Sequence, residues 1–471
     1  MQAKALKKNF TSGPLFWRLT TYSIPIMLTG LLQILYGVAD NVVVGQFSGD
    51  DLALAAISAT GSLTNTIINL MLGFSLGAGI LIAQYYGAKN YDSLSRAVHT
   101  SMAFSVLLGI AMTVLGLAIH VPILRLLNVP DELMENSALY LKIILIGIPA
   151  QAIYNFAASI LRSVGDSKTP LVILAASGII NVILNVLFVV TFKMSVSGVA
   201  IATVISQYAS ALAVVVIFLL RNTCYRLSPG KLKIELKILK RITVLGLPSA
   251  IQSAAFNLSG MVLTGSVNEL GSVTIYAFGV SNQIEAIAYS IMNSYQIAAM
   301  TFTAQNYGAL EIKRIKKVIL YSLFWVTLVG ILMGQLVLLL SEPLANLYVS
   351  SDNVLKAEII EATKPMLAVI LYTYFLCGMM NVMTGVVRGL GHSILSMVIC
   401  VACVVGGRLI WLLIIYPLEP FYKNTFWLLF AFPFSWVIAG IIFTCILIGL
   451  WKKLKKMHEI SELSMAPQMQ R

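Results

Sequence analysis

Long apolar stretches dominate this sequence and restrict the folds open to it. A helix of about 20 apolar residues crosses a bilayer, and only helices or closed barrels satisfy the backbone inside one. Only 11% of the residues are charged, against about 25% in soluble domains. The sequence therefore predicts an all-α polytopic membrane protein with twelve transmembrane helices, at residues 19–46, 52–83, 97–119, 138–162, 170–192, 197–220, 241–266, 273–304, 317–341, 362–388, 393–416 and 425–451.

The basic residues indicate the orientation of these helices. If successive stretches cross the membrane in opposite directions, the segments on the side of the N-terminus contain 25 of the 32 Lys and Arg residues. The segments on the opposite side contain 6, and Arg408 lies within a stretch. Because cytoplasmic loops are enriched in Lys and Arg, both termini are predicted to be cytoplasmic. Attraction to anionic lipid explains the net charge of +13, so no nucleic-acid partner is expected.

Two short motifs recur and indicate an internal duplication. Residues 83–88 (AQYYGA) match residues 304–309 (AQNYGA) at five of six positions, and 162–167 (RSVGDS) resembles 388–393 (RGLGHS). Each half then contains six helices, and both halves begin in the cytoplasm. Halves of equal orientation are related by a pseudo-twofold axis along the membrane normal. A substrate site is expected between them.

The duplication and the hydropathy together define five segments. They are a cytoplasmic interfacial N-terminal segment (1–18), an N-terminal six-helix lobe (19–220), a cytoplasmic linker (221–240), a C-terminal six-helix lobe (241–451) and a cytoplasmic tail (452–471). The basic and apolar residues of the linker predict an interfacial helix.

The first stretch contains a single carboxylate, Asp40, near its far end. A carboxylate at membrane depth costs roughly 2.5–3.5 kcal/mol, so Asp40 is expected to face a polar cavity. The alternative is an acid lying among headgroups at the helix end. Pro25, echoed by Pro248, removes a backbone donor and is expected to kink the first helix.

Polar side chains in the fifth and sixth stretches are possible partners of Asp40. Asn181 and Asn185 are four residues apart and so share one helical face, and Thr203 lies in the next stretch. These side chains can form hydrogen bonds that hold neighbouring helices together, or they can form an oxygen-rich pocket with Asp40 for Na⁺ or a proton.

Glu285 is the acid within the predicted helices of the second half, and Arg408 is a basic residue there. Glu285 either faces a cavity or forms a structural ion pair with Arg408. At the repeat spacing Glu285 corresponds to Thr64, so the halves are not chemically equivalent.

Aromatic and thioether side chains suit an adaptable cavity for lipophilic cations, although ordinary helix packing explains each of these residues taken alone. The predicted cavity residues are Tyr36, Thr64, Tyr154, Glu285, Tyr289, Met292 and Met380.

Signatures of enzymes and cofactors are missing from the sequence. It contains no GxxxxGK[ST] loop, HExxH helix, GxSxG turn or pair of DDxxD clusters. Cys400 and Cys403 have CxxC spacing but lie in an apolar stretch, which favours packing over a metal or redox site. We therefore expect a protein that is not an enzyme and has no cofactor beyond a coupling H⁺ or Na⁺.

The order of these motifs resembles the multidrug and toxic compound extrusion (MATE) family of bacteria. The resemblance covers about 15 to 455 and rests on Pro25, the 38–40 VAD run, the Asn181/Asn185 pair, 198–203 (GVAIAT) and the two repeated turns. It implies efflux of organic cations and drugs across a bacterial inner membrane, driven by inward H⁺ or Na⁺. It also implies a cation site formed by Asp40, Asn181, Asn185 and Thr203.

The chain departs from the family at two places. Some members carry a second carboxylate in the fifth helix, where this chain has Asn185, and others carry a Glu in the seventh, where it has Ala255 and Phe256. The resemblance implies a monomeric cation/drug antiporter with alternating access. The alternatives are a flippase for lipid-linked sugars, expected to need more cationic groups, and an intramembrane transferase.

Overall fold

The computed structural model describes residues 9–47, 52–349 and 354–465, with side chains up to 456. The ends of the predicted N-terminal segment and tail, 1–8 and 466–471, lie outside this range. The described chain is α-helical without strands, as predicted. Its helices are α1 Leu15–Phe47, α2 Ala53–Gly87, α3 Tyr91–Leu126, α4 Asp131–Ser163, α5 Lys168–Asn185, α6 Val196–Leu220, α7 Leu236–Asn268, α8 Ser272–Gly308, α9 Ile312–Leu339, α10 Ser341–Tyr348, α11 Lys356–Leu371, α12 Tyr374–Gly389, α13 Ser393–Ile399, α14 Gly407–Ile410, α15 Thr425–Leu429 and α16 Ala431–Met465.

Three π-helical segments interrupt this pattern. Val186–Thr191 continues α5, and Cys400–Gly406 and Trp411–Ile415 lie on either side of α14. Such wide turns are often found at functional sites. Asn185 directly precedes the first of these segments, and Arg408 lies between the other two, within α14.

The predicted membrane stretches all coincide with helices. Within the described residues, nine helical spans are long and apolar enough to cross a membrane, and ten if the α11–α12 pair, bent by 45°, counts as one. Two long helices, α7 and α8, do not reach that hydropathy, because polar residues such as Gln252 and Glu285 interrupt them. The chain is a multi-pass membrane protein.

Contacts divide the chain into two compact units. The first unit contains Leu28–Ala250, and the second contains Phe10–Met27 together with the chain from Ile251 onward. Both α1 and α7 are therefore shared between units, and each is divided two residues after a proline, Pro25 or Pro248. These divisions differ from the boundaries at 19 and 241, because hydropathy marks where a helix enters the membrane and not what it packs against.

Glycine allows the close approach of α2 to the first part of α7 within the first unit. A Cβ atom on Gly73 would lie 2.7 Å from the backbone nitrogen of Ala250. Gly77, one turn later, faces the backbone of Ile242 and Gly246. The G-x-x-x-G spacing thus serves helix packing.

The second AQxYGA motif holds the chain ahead of α1 within the second unit. Gln305 Oε1 accepts a hydrogen bond from the Phe10 backbone nitrogen at 3.1 Å. Asn306 and Arg314 donate to the Phe10 carbonyl at 3.3 and 3.2 Å. The Phe10 ring stacks on Phe302, with centroids 3.8 Å apart. The repeated motif is therefore an anchoring element in this half.

The linker is not an interfacial helix, so that prediction is wrong. It contains a 3₁₀ turn, Pro229–Lys231, and is otherwise irregular until α7 begins at Leu236. Pro229 and Gly230 disfavour a continuous helix. The α3 residues His99 and Thr100 hold it instead: His99 Nε2 accepts from the Ser228 backbone nitrogen at 3.0 Å, and the Thr100 hydroxyl donates to the Lys233 carbonyl at 3.2 Å.

An ion pair fixes the turn between α4 and α5. Asp166 accepts hydrogen bonds from the backbone and hydroxyl of Thr169 and lies 2.8 Å from Arg221. Burial alone would raise the pKa of Asp166. The bonds from Thr169 and the guanidinium of Arg221 outweigh burial and lower that pKa below its ordinary value. The first RxxGxS turn is thereby attached to the chain that follows α6.

Candidate functional site

The polar residues predicted to surround Asp40 form one connected cluster in the first unit. Asn185 Nδ2 donates to Asp40 Oδ1 at 2.5 Å and also lies 3.3 Å from Asn181 Oδ1. Asn181 Nδ2 in turn lies 3.4 Å from the Thr203 hydroxyl. The Thr203 side chain also forms a hydrogen bond with Asp40. The four residues come from α1, α5 and α6, and their grouping agrees with the prediction.

The cluster has an unsatisfied acceptor. Asn185 is fully buried, and its Oδ1 atom has no hydrogen-bond partner. A buried acceptor without a donor costs roughly 1–3 kcal/mol, so a cation or a proton donor is favoured beside it. Together with the Asp40 carboxylate, Asn181 Oδ1 and Thr203 Oγ1 it supplies the oxygen ligands that hard cations prefer. The residues present therefore fit a small cation. No group of three or more His, Cys, Asp or Glu side chains in the described chain could hold a transition metal.

A cavity of about 410 Å³ opens beside this cluster, within the first unit. Asp40, Asn181 and Thr203 belong to its wall. The remaining lining residues are Gln33, Tyr36, Gly37, Asn65, Ile68, Leu72, Gln151, Tyr154, Asn155, Leu174, Ser177, Gly178, Ser206, Gln207 and Ser210. Its size is that of a site for a small organic molecule.

Both tyrosines predicted for a cavity in this half do line it. The Tyr36 hydroxyl donates to the Leu174 carbonyl at 2.9 Å, and the Tyr154 hydroxyl donates to the Pro170 carbonyl at 3.0 Å. Gly178 makes room for the Tyr36 ring, because a Cβ atom there would overlap it. The two hydroxyl groups are thus occupied by α5, which fixes the position of both rings.

Sequence reasoning missed most of the amide groups in this wall. Gln33, Gln151 and Asn155 line the cavity but were not predicted. Gln207 lies four residues after Thr203, and its Oε1 atom is buried without a partner. Carboxamides inside apolar stretches were the available signal, since each must find a partner or a polar cavity. Thr64 is not part of this wall, although its neighbour Asn65 is.

Glu285 in the second unit is bonded to a tyrosine and not to an arginine. It accepts a short hydrogen bond from the hydroxyl of Tyr374, at the start of α12. Arg408 lies over the ring of Phe432, 4.3 Å from its centroid, and its Nε atom is 3.4 Å from the Ser435 hydroxyl. Within the described chain the ion pairs are Arg96–Glu235 and Arg221–Asp166. The suggested Glu285–Arg408 ion pair is therefore not formed.

The three other residues of the second half that were predicted to line the substrate cavity are two buried methionines and one exposed tyrosine. Met292 and Met380 are buried in the hydrophobic core of the second unit. Tyr289 has 42% of its surface exposed. The contacts of the two methionines match ordinary packing, the alternative already weighed for them.

Comparison with known proteins identifies the family. The MatE family model matches the chain twice, over residues 25–187 and 248–410. These two matches cover more than half of the chain and coincide with the duplication seen in the motifs. The chain belongs to the MatE family, the multidrug and toxic compound extrusion transporters predicted from its motifs.

Relatives in bacteria cover most of the chain. The chain is 31% identical over 405 residues to the probable multidrug resistance protein YoeA of Bacillus subtilis, covering 84% of this chain and 86% of that protein. It is 24% identical to the probable multidrug resistance protein NorM of Thermotoga maritima, covering 82% of each. It is also 24% identical to the multidrug export protein MepA of Staphylococcus aureus, covering 82% and 84%.

Solved structures share the fold. An outward-facing multidrug resistance MATE transporter of the MOP superfamily aligns with a TM-score of 0.86 at 20% identity, covering 96% of this chain and 98% of that one. A MOP superfamily transporter from Pyrococcus furiosus aligns with a TM-score of 0.87 at 19% identity, covering 97% and 99%. The latter is described as having a binding pocket of reversed polarity that suggests a different function. The fold is therefore shared by transporters whose pockets differ, and the cargo must be argued from side chains.

Proposed function

We propose that this protein exports lipophilic organic cations and drugs in exchange for inward H⁺ or Na⁺. The relatives named as multidrug resistance or export proteins support small-molecule export. Export then takes place across the bacterial cell membrane by alternating access, with both termini in the cytoplasm. Coupling of cargo to cation is the part that the site must explain.

One observation carries the proposal: the Asp40 carboxylate belongs both to the polar cluster and to the wall of the cavity. A cation bound at the cluster neutralises the charge that a cationic cargo in the cavity requires. Cargo and coupling cation therefore compete for one carboxylate, which is the simplest basis for exchange. A ligand shifts a conformational equilibrium only through different affinities for the two states, so this shared group is where coupling is expected.

The wall of the cavity favours a cationic cargo. Its lining residues contain one carboxylate and no lysine or arginine. A lipid-linked diphosphate needs cationic groups to neutralise its phosphates, and this wall does not supply them. The aromatic rings of Tyr36 and Tyr154 can instead contact a flat or quaternary cation. The composition of the wall thus supports drug export over the flippase alternative.

The donor set suits two coupling ions. The cluster contains a single carboxylate, so a proton is the first candidate, and the neighbouring amide and hydroxyl oxygens make Na⁺ the second. A proton needs only the carboxylate of Asp40. Na⁺ also needs the oxygens of Asn181, Asn185 and Thr203.

Transport in proteoliposomes tests this mechanism. We expect Asp40→Asn to fold, to bind ethidium more weakly than the wild type, and to lose uphill efflux under an imposed pH or Na⁺ gradient by tenfold or more. Asp92→Asn is the matched control, since Asp92 is an exposed acid at the start of α3 in the same unit. Uphill efflux by Asp40→Asn at the rate of the wild type would overturn the mechanism.

A second variant tests whether H⁺ or Na⁺ is the coupling ion. Thr203→Val removes one oxygen with little change of volume. If Na⁺ is the coupling ion, the Na⁺ concentration for half-maximal efflux should rise several-fold. If H⁺ is the coupling ion, efflux should follow the pH gradient whether or not Na⁺ is present.

A further inference from the structure

We propose that the first unit binds one anionic phospholipid, with an acyl chain in an apolar pocket under the linker and the headgroup at the linker lysines. The pocket has a volume of about 460 Å³ and is separate from the polar cavity beside Asp40. Its existence does not depend on the export function proposed above.

The walls of this pocket suit a hydrocarbon chain. Every lining residue is apolar, and the walls come from α3, α4, α6 and the linker. Val106 and Leu107 of α3 are 38% and 55% exposed, so the pocket is open on the side of these residues. Val215 of α6 lies roughly 8 Å along the helix axis from the end of α6 at Leu220. The pocket therefore reaches from the membrane boundary into the depth where acyl chains lie.

The linker segment that lines this apolar space also carries charge. Leu232 and Ile234 line the pocket, and Leu232 has an extended backbone conformation. Alternate residues of an extended segment point to opposite sides. Lys231 and Lys233 are exposed and lie next to these two residues in the sequence. Leu232 and Ile234 thus face the hydrocarbon pocket, and Lys233 between them presents its ammonium group on the other side of the segment, while Lys231 ends the preceding 3₁₀ turn.

The charge of the linker is complementary to a phosphate headgroup. Arg226 is exposed as well, and its Nε atom is held on the Leu219 carbonyl at 3.2 Å. Glu235 is the acid of this linker, and it is paired with Arg96 at 3.5 Å. The acid is therefore neutralised, whereas Arg226, Lys231 and Lys233 form no ion pair with the part of the chain that the structure describes. This combination of exposed cationic linker residues and an apolar pocket matches an anionic phospholipid and not a neutral one.

Native mass spectrometry of the purified full-length protein tests the inference. Phosphatidylglycerol and phosphatidylcholine with identical acyl chains are titrated in turn. We expect tighter binding of phosphatidylglycerol, and roughly a fivefold loss of its affinity for each of Lys231→Gln and Lys233→Gln. Lys316→Gln and Lys317→Gln, at exposed lysines of α9, are the matched control and should change nothing. Equal affinity for the two lipids in the wild type would overturn the proposal.

Filling the pocket tests the acyl-chain part. Ala103→Phe adds volume to the lining and should lower binding of both lipids. Because this variant can also disturb folding, photo-crosslinking of the wild type with diazirine-labelled phosphatidylglycerol provides a second measurement. Crosslinks should concentrate on 102–107 and 227–234, and unlabelled phosphatidylglycerol should compete better than phosphatidylcholine. Crosslinks spread over all lipid-exposed helices, or displaced by ethidium and not by lipid, would refute the assignment.

Discussion

Replacing His99 by Phe is the sharpest test of how the linker is held. His99 lies on α3 with 3% of its surface exposed. Its Nε2 atom accepts from the backbone N–H of Ser228, and its Nδ1 atom lies 2.7 Å from the Ser95 carbonyl. Because a backbone N–H can only donate, the proton of the neutral ring must be on Nδ1. Phe keeps the ring but loses both hydrogen bonds.

The expected cost follows from these two contacts. The Ser228 N–H loses its acceptor, and an unsatisfied buried donor costs about 1–3 kcal/mol. Ser228 is only partly buried, so water can reach it and the lower part of that range applies. The Ser95 carbonyl is within a helix and keeps its backbone partner. We therefore expect about 1–2 kcal/mol, concentrated on local opening of the linker and not on the whole unit.

Alkylation of Cys224 measures this opening directly. Cys224 is a half-buried residue of the linker, and the other four cysteines are replaced for the experiment. An opening that is easier by about 1–2 kcal/mol raises the alkylation rate roughly 5- to 30-fold in a detergent-purified sample. His120→Phe is the control, because the hydrogen bond that His120 forms in the described chain is to the Leu117 carbonyl of its own helix, at 2.8 Å. An unchanged rate in His99→Phe, or an equal change in His120→Phe, would refute the reasoning.

Three further predictions follow from other parts of the molecule. Asp166→Asn should lower the melting temperature at pH 7 by the loss of the Arg221 ion pair. Because the pKa of Asp166 is held below its ordinary value, this stabilisation is complete above about pH 4 and disappears as the pH falls through the lowered pKa, so wild type and variant must converge in acid. Glu285→Gln keeps an acceptor for the tyrosine hydroxyl and should fold normally while exporting cationic cargo less than neutral cargo; equal loss of both would exclude a role in cargo selection. A cysteine at exposed Gly230, in a background without other cysteines, should resist an impermeant maleimide in intact cells, and efficient labelling would reverse the assigned orientation.

The sequence was sufficient for the helices and for the cluster around Asp40. Hydropathy finds apolar helices without knowledge of their neighbours, and the four-residue spacing places Asn181 and Asn185 on one face. It was insufficient for Glu285, because its partner depends on how α8 is rotated against α12. Both Tyr374 and Arg408 were chemically suitable partners, and only the packed structure brings the Tyr374 hydroxyl to the carboxylate.

The linker shows a different limit of prediction from a single sequence. Its alternation of basic and apolar residues is compatible with an amphipathic helix or with an extended segment. The Pro229–Gly230 pair argues against the helix, but His99 and Thr100, about 130 residues earlier, determine where the linker lies. Long-range hydrogen bonds of this kind leave no periodic signal in a single sequence.

The duplication itself supports coupling in the first unit. Pro25 and Pro248 are 223 residues apart, and the two family matches begin at these two residues, so at this spacing Asp40 falls on Leu263. The two RxxGxS turns, which lead into α5 and α13, are 226 residues apart, and at that spacing Asn185 falls on Trp411. Asn185 directly precedes the π-helical segment Val186–Thr191 and Trp411 begins the segment Trp411–Ile415, which supports this register. In the second half a buried leucine thus replaces the carboxylate, and a buried tryptophan replaces the amide. Neither of these side chains supplies an oxygen ligand for a cation. Divergence of the two halves therefore leaves the Asp40 cluster as the place where a coupling ion is expected to bind.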